Sequence, residues 1–159
     1  MLFLKLHKNK PPCTVAIAGQ CAAAQINLFA ELTGSFICEF PRFGLIKGMY
    51  YYKYREYFVS CLSPGSPAEE AEDFDCVIYV MNPYRLESEL VNALRYSRKA
   101  RRLVLFLCAP RGGAKATVPV NIKLLSGALR ARAVFETRFG SRGVNRLLDA
   151  VESTLKQEI

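Results

Sequence analysis

The stretch Thr14–Gly34, TVAIAGQCAAAQINLFAELTG, constrains the fold more than any other part of the chain. Thr14–Ala18 is short, apolar and β-branched, which predicts a buried parallel strand. A glycine follows at Gly19, and then a segment in which Ile26, Phe29, Ala30 and Thr33 recur at helical spacing. Leu28 and Leu32 widen that stripe, and Gly34 suits the helix C-terminus. Strand, glycine, loop and helix in this order form the layout of a phosphate-binding loop. Such a loop needs a second glycine to let the backbone wrap a phosphate. It also needs a lysine to neutralise the phosphate charge and a hydroxyl to hold Mg²⁺. Those three places hold Ala24, Gln25 and Ile26. A carboxamide carries no charge and an isoleucine binds no metal. Within Gly19, Gln20, Cys21, Ala22, Ala23, Ala24, Gln25 and Ile26, only Gly19 and the helix N-terminus remain as anion-attracting features.

The rest of the chain alternates strands and helices. Residues 1–12 are a basic lead ending in Pro11-Pro12. Gly44–Tyr54 and Glu56–Leu62 read as a tyrosine-rich hairpin that turns at Lys53-Tyr54-Arg55-Glu56. Ser63–Pro67 is a turn cluster, and the acidic AEEAEDFD fits one helical turn. CVIYVM (Cys76–Met81) and LVLFLC (Leu103–Cys108) are buried strands, with a helix over Leu86–Ala100 between them. That helix places Leu86, Leu90, Ala93, Leu94 and Ser97 near one face. A helix at Asn121–Leu129, a strand at Ala133–Glu136 and a helix at Gly143–Gln157 follow; Val144, Leu147, Leu148, Val151 and Leu155 line the last. The alternation predicts an α/β fold of three layers, α/β/α, whose mainly parallel sheet carries one antiparallel edge strand.

Composition narrows the function classes. No apolar run reaches the roughly 18 residues of a membrane span, and the basic start lacks the features of a signal peptide, so a cytoplasmic protein is expected. None of the six cysteines forms a C-x-x-C pair and the one histidine, His7, lies in the lead, which argues against a metal site. The net charge of +8 is concentrated in Arg95, Arg98, Lys99, Arg101 and Arg102, and in Arg130, Arg132, Arg138, Arg142 and Arg146. These clusters suit solvated helix faces, or else RNA, an anionic membrane surface or an acidic partner.

The order of elements resembles a small G domain of the P-loop NTPase class. Among G domains the chain is similar to the N-terminal GTPase domain of FeoB, the bacterial ferrous-iron transporter. The family's first motif, G-N-P-N-S-G-K-[ST]-T-L-F-N-x-L-T-G, is matched by GQCAAAQINLFAELTG, closely in the half LFAELTG. FPRFGLIKGMYYYKYREYFVSCLSPGSP resembles the family's first switch, hairpin and D-x-P-G turn. DCVIYVMNPYRLESELVNALRYSRKARRLVLFL and NIKLLSGALRARAVFETRFGSRGVNRLLDAVE resemble its later elements. The resemblance covers nearly everything after Cys13, making 13–159 one G-domain-like unit. EutP-type small GTPases of bacterial microcompartments are a second resemblance.

Carried onto this sequence, the family's chemical positions are altered throughout. The D-x-P-G turn reads Cys61, Leu62, Ser63, Pro64, Gly65, with Cys61 or Leu62 in the aspartate's place. The guanine-reading N-K-x-D reads Cys108, Ala109, Pro110, Arg111, and the S-A-x loop reads Thr137, Arg138, Phe139. The first-switch threonine falls near Leu45 or Ile46. The reading this supports is a pseudo-GTPase, a non-catalytic interaction or regulatory module with no Mg²⁺–GTP cofactor, no catalytic residue and no metal. The resemblance implies a link to ferrous-iron transport. A protein partner is expected, either a membrane transporter or a second copy, with Tyr50, Tyr52 and Tyr54 of the hairpin as the candidate surface. Two other readings stay open: an atypical GTP-binding protein or GTPase with an unusual phosphate loop, and a binder of nucleic acid or anionic surfaces through the arginine clusters.

Overall fold

The computed structural model describes residues 9–34, 46–82, 85–108, 121–136 and 141–156. In chain order the elements are β1 (Cys13–Gly19), α1 (Ala22–Thr33), β2 (Ile46–Tyr52), β3 (Arg55–Cys61) and a 3₁₀ helix (Ala68–Asp73). After these come β4 (Cys76–Met81), α2 (Leu86–Lys99), β5 (Leu103–Cys108), α3 (Ile122–Leu129), β6 (Arg132–Glu136) and α4 (Ser141–Lys156). The six strands form one sheet in the order β2-β3-β1-β4-β5-β6. All neighbours are parallel except β2 and β3, which form an antiparallel hairpin at the edge. The predicted α/β class and the single antiparallel edge strand both hold. Lys53 and Tyr54 alone make the turn, with φ of 46° and 69°, so the connection is the two-residue loop whose twist matches the strands.

Two apolar layers flank the sheet. On one face Val15, Ile17, Tyr57, Val59, Ile78 and Val104 pack with Leu28, Phe29 and Leu32 of α1 and Leu147, Leu148 and Val151 of α4. On the other, Ala16, Leu62, Val77, Tyr79 and Leu105 pack with Ala68 and Ala71, with Ala93 and Tyr96 of α2, and with Leu125 and Leu129 of α3. Helices therefore cover both faces, as near-continuous apolar strands such as CVIYVM require. α1 ends as its sequence predicts: Gly34 adopts φ 73° and its N–H bonds Ala30 O at 2.8 Å. Asn121 caps α3 by accepting from Leu124 N at 3.1 Å.

Both helix stripes need correction. In α1 the buried residues are Gln25, Leu28, Phe29 and Leu32, while Ile26, Ala30 and Thr33 are only half-buried. The spacing is helical, but its first member is polar, so a search for apolar periodicity starts one residue late. In α2 the buried positions are Glu89, Ala93 and Tyr96, with Leu90, Leu94 and Ser97 at the margin. There too a carboxylate and a tyrosine occupy the inward face, each satisfied by a hydrogen bond. The hairpin tyrosines also divide differently: Tyr50 and Tyr52 pack against the core layer of α1 and α4, and their rings stack with centroids 6.3 Å apart. Among the candidate partner residues only Tyr54, in the turn, is exposed. The outward face of the hairpin carries Met49, Tyr51 and Phe58 instead.

Candidate functional site

The chain leaves β1 toward β3 on one side and crosses back from β3 to β4 on the other. The sheet therefore has a topological switch point beside β1, and in open α/β sheets ligands bind at the carboxyl ends of the strands there. Gly19, at the end of β1, and Leu62, just past β3, lie at that edge.

The connection from β1 to α1 is short. β1 ends at Gly19, only Gln20 and Cys21 intervene, and α1 starts at Ala22. Ala22, Ala23 and Ala24 are already helical, and the N–H of Gln25 bonds Cys21 O at 3.1 Å inside the helix. Cys21 is the N-cap and its side chain makes no capping bond. Gln25 is fully buried. Its Nε2 donates to Leu62 O at 2.8 Å and to Ile17 O at 3.4 Å, while its Oε1 has no partner among the described residues. Gly19 makes room for this arrangement: a Cβ there would lie 2.9 Å from Val80 O and 3.5 Å from Cγ of Gln25. The turn after β3 is tied to the same place, with Leu62 N bonding Ile17 O and Gly65 N bonding Gly19 O, each at 2.9 Å. Gly65 turns with φ 73°. Cys61 closes β3 and is buried, Leu62 is in the core layer of α2 and α3, and Ser63, Pro64 and Gly65 are exposed.

The structure thus brings Gly19–Ile26 and Cys61–Gly65 together. The other sequence candidates are not all visible. Cys108 ends β5 at the same edge, but Ala109, Pro110, Arg111, Thr137, Arg138, Phe139 and Leu45 lie outside the described residues, and Ile46 is simply the buried first residue of β2. Apart from the Cys21 thiol, the positions Gln20–Ile26 and Leu62–Gly65 carry no ionisable side chain. Beside them, Glu89 of α2 is 5% exposed and accepts from Asn82 N at 2.7 Å; burial pushes its carboxyl up. Burial likewise drives the Tyr79 phenol up to about 12, while Asn92 Nδ2 donates to its oxygen at 2.8 Å. Among the described residues no three His, Cys, Asp or Glu side chains cluster to hold a metal, and no helix is long and apolar enough to cross a membrane.

A polar constellation that sequence reasoning missed sits at the opposite, amino edge of the sheet. Glu152 of α4 is 5% exposed. It accepts from Arg55 Nε at 2.6 Å, from the Tyr57 hydroxyl, and from Lys10 Nζ at 3.3 Å. Burial raises its carboxyl, but these three donors outweigh burial and leave it below the usual value. One turn earlier Asp149 takes the Tyr52 hydroxyl at 2.9 Å and Lys53 Nζ at 2.8 Å. Lys10 N also donates to Tyr54 O at 2.7 Å, and Arg55 Nη1 to Pro11 O at 2.6 Å. Together these bonds fasten the hairpin and the end of the lead to α4. The signal available in sequence was Glu152 interrupting the apolar stripe Leu148, Val151, Leu155.

The arginine clusters are partly consumed by local partners. Lys99 pairs with Glu72 at 3.6 Å, Arg101 with Asp75 at 3.9 Å, and Arg102 donates to Asp75 O at 3.0 Å. Arg95, Arg98, Arg130, Arg132 and Arg146 are exposed; Arg138 and the side chain of Arg142 lie outside the described residues.

No protein-family model matches the chain, and no curated protein matches it in sequence. Solved structures do match. The FeoB G-domain from Methanococcus jannaschii superposes with a TM-score of 0.76 at 17% identity, over 93% of this chain and 100% of that one. The cytosolic domain of the T. maritima FeoB iron transporter in a GDP form gives 0.75 at 22% identity over 93% of this chain. The mGMPPNP-bound NFeoB from S. thermophilus gives 0.68 at 17% over 92%. This chain spans 65% and 62% of those last two. At such identities the likeness establishes the fold alone, that of a G domain built on a six-stranded sheet.

Proposed function

We propose that this chain is a FeoB-like G domain that has exchanged nucleotide turnover for a structural role: a pseudo-GTPase acting as a non-catalytic interaction or regulatory module. The observation that carries the reading is the buried carboxamide of Gln25, held by Leu62 O and Ile17 O where a phosphate loop would present its lysine. A phosphate-wrapping loop offers free backbone N–H groups. Here only two residues separate Gly19 from the helix, and the alanines of the loop are wound into its first turn. Ile26 supplies no hydroxyl for Mg²⁺, and the turn at Cys61–Gly65 supplies no carboxylate. Solved FeoB cytosolic domains include GDP and GMPPNP forms, so the fold can take a nucleotide. The altered residues argue that this chain does not use it. The same likeness supports a link to ferrous-iron transport, in which the module works by contact with a protein partner.

Isothermal calorimetry with GTP, GDP and ATP, each with and without Mg²⁺, tests the reading. No heat at high protein concentration is the expected result. Mg²⁺-dependent binding of any of the three would overturn it and favour an atypical nucleotide-binding protein.

A further inference from the structure

We infer that β2 is a self-complementary edge, which pairs antiparallel with β2 of a second copy about a two-fold axis through Met49 and joins two sheets into one. The inference rests on reading the chain as a contact module, and it names the partner.

Among the described residues nothing pairs with the outer edge of β2. Exposed edges are usually blunted by charge, proline or shortness. The opposite edge, β6, follows that rule: it has five residues, RAVFE, with a charge at each end. β2 does not. It has seven residues, IKGMYYY, with Lys47 as its one charge and no proline.

The hydrogen-bonding phase then selects a register. In a two-residue hairpin the pair flanking the turn exchanges both its bonds. Here that pair is Tyr52 and Arg55, so Tyr52, Tyr50, Gly48 and Ile46 turn their backbone groups toward β3. The groups of Tyr51, Met49 and Lys47 therefore point outward. Met49 is also the midpoint of the Ile46–Tyr52 strand. A two-fold axis at Met49 thus overlaps both strands along their whole length. It makes hydrogen-bonded pairs of Met49 with Met49 of the second copy and of Lys47 with Tyr51 of the second copy.

The outward side chains agree with that register. Met49 is 55% exposed and lies across β3 from Phe58, 43% exposed, so the assembly gains one apolar row: Phe58, Met49, then the same two residues of the copy. Tyr51, 53% exposed and opposite Glu56, donates its hydroxyl to Asn9 Oδ1 at 3.2 Å and keeps its ring across the seam from the second copy's Lys47, whose ammonium suits the ring face. On the inner face Gly48, already covered by Thr33 and Phe29 of its own α1, lies opposite Tyr50 of the copy. Gly48 itself must stay small, because a Cβ would sit 2.8 Å from Cγ2 of Thr33. One strand pair is small beside the roughly 1,200 Å² of a lasting interface, so association depends on concentration.

Sedimentation of the full chain from micromolar to millimolar concentration is expected to show a monomer–dimer equilibrium. Met49→Glu, which sets two carboxylates directly opposite each other, abolishes it while the circular dichroism spectrum is retained. In a Cys21→Ser background, Met49→Cys forms a covalent dimer under mild oxidation, because Cα atoms of such a pair lie about 5.5 Å apart. Lys47→Cys does not, since its two copies are separated by roughly 13 Å along the strands. A chain monomeric throughout, a dimer indifferent to Met49→Glu, or a failure of Met49→Cys to crosslink overturns the proposal. Calorimetry on the same samples keeps the two readings apart. Nucleotide binding by a chain that still dimerises sinks the pseudo-GTPase reading alone, and a monomer that binds no nucleotide sinks the pairing alone.

Discussion

The side-chain amide of Gln25 reaches across the carboxyl edge of the sheet to the carbonyl oxygen of Leu62, 2.8 Å away, and ties the first turn of α1 to the end of β3. A glutamine that is fully buried and bonded to two backbone carbonyls acts as a structural brace. Replacing it with alanine leaves Leu62 O without its side-chain donor and opens space under Gly19. Gln25→Ala is expected to destabilise the fold by about 2 kcal/mol in urea titrations. A neutral effect would mean the brace contributes nothing.

Gly19 is held by close approach. Its Cβ position lies against Val80 O of the neighbouring strand, and backbone cannot move aside as a side-chain tip can. Gly19→Ala should cost about 1–3 kcal/mol through displacement of β1 from β4. Thermal unfolding beside Ala23→Ser, an exposed helical position, supplies the comparison.

The two carboxylates of α4 should differ sharply. Glu152 and Arg55 are nearly buried, so Glu152→Gln strands a guanidinium and is expected to cost roughly 2–4 kcal/mol. Asp149 and Lys53 are half exposed, and Asp149→Asn should cost only about 0–1 kcal/mol. Equal losses in chemical denaturation would refute the distinction.

The pH dependence follows from the same carboxylate. Glu152 is held below its ordinary value of 4.5, so its contribution is complete above that pH and is lost as pH falls from there through the folded value. The gap in stability between the parent chain and Glu152→Gln should therefore be constant from neutral pH to the upper end of the carboxylate range, and shrink below it. Glu89 has the opposite sign: burial raises it, so its ionised form costs stability at neutral pH and acid relieves that cost. Denaturation of Glu89→Gln across the same range should lack that relief.

Thiol chemistry should follow burial. Burial, helped by Asp75, pushes Cys13 up to about 12, burial alone does the same for Cys61, and Cys76 is raised as well. Cys21 is exposed. Brief alkylation of the native protein, read by peptide mapping, is expected to label Cys21 and spare Cys13, Cys61 and Cys76. Labelling of the buried three at a comparable rate would contradict this packing.

The alternation of apolar strands and periodic helices was enough to specify the order of elements, the parallel sheet and its antiparallel edge. Those features follow from local periodicity and from the need to bury an apolar strand on both sides. Gly19 and Gly34 could be read in the same way, because each marks a change of element. The sequence could not reveal which polar residues turn inward. Gln25, Glu89 and Glu152 look like solvated residues in one dimension, since their partners are 37, 7 and 97 positions away. The hairpin tyrosines alternate strictly, but which set faces α1 and α4 depends on the hand of the turn at Lys53-Tyr54 and on the docking of Asp149. Local propensity writes the elements. Burial, which is a property of the assembled sheet and helices, decides which polar groups must find partners.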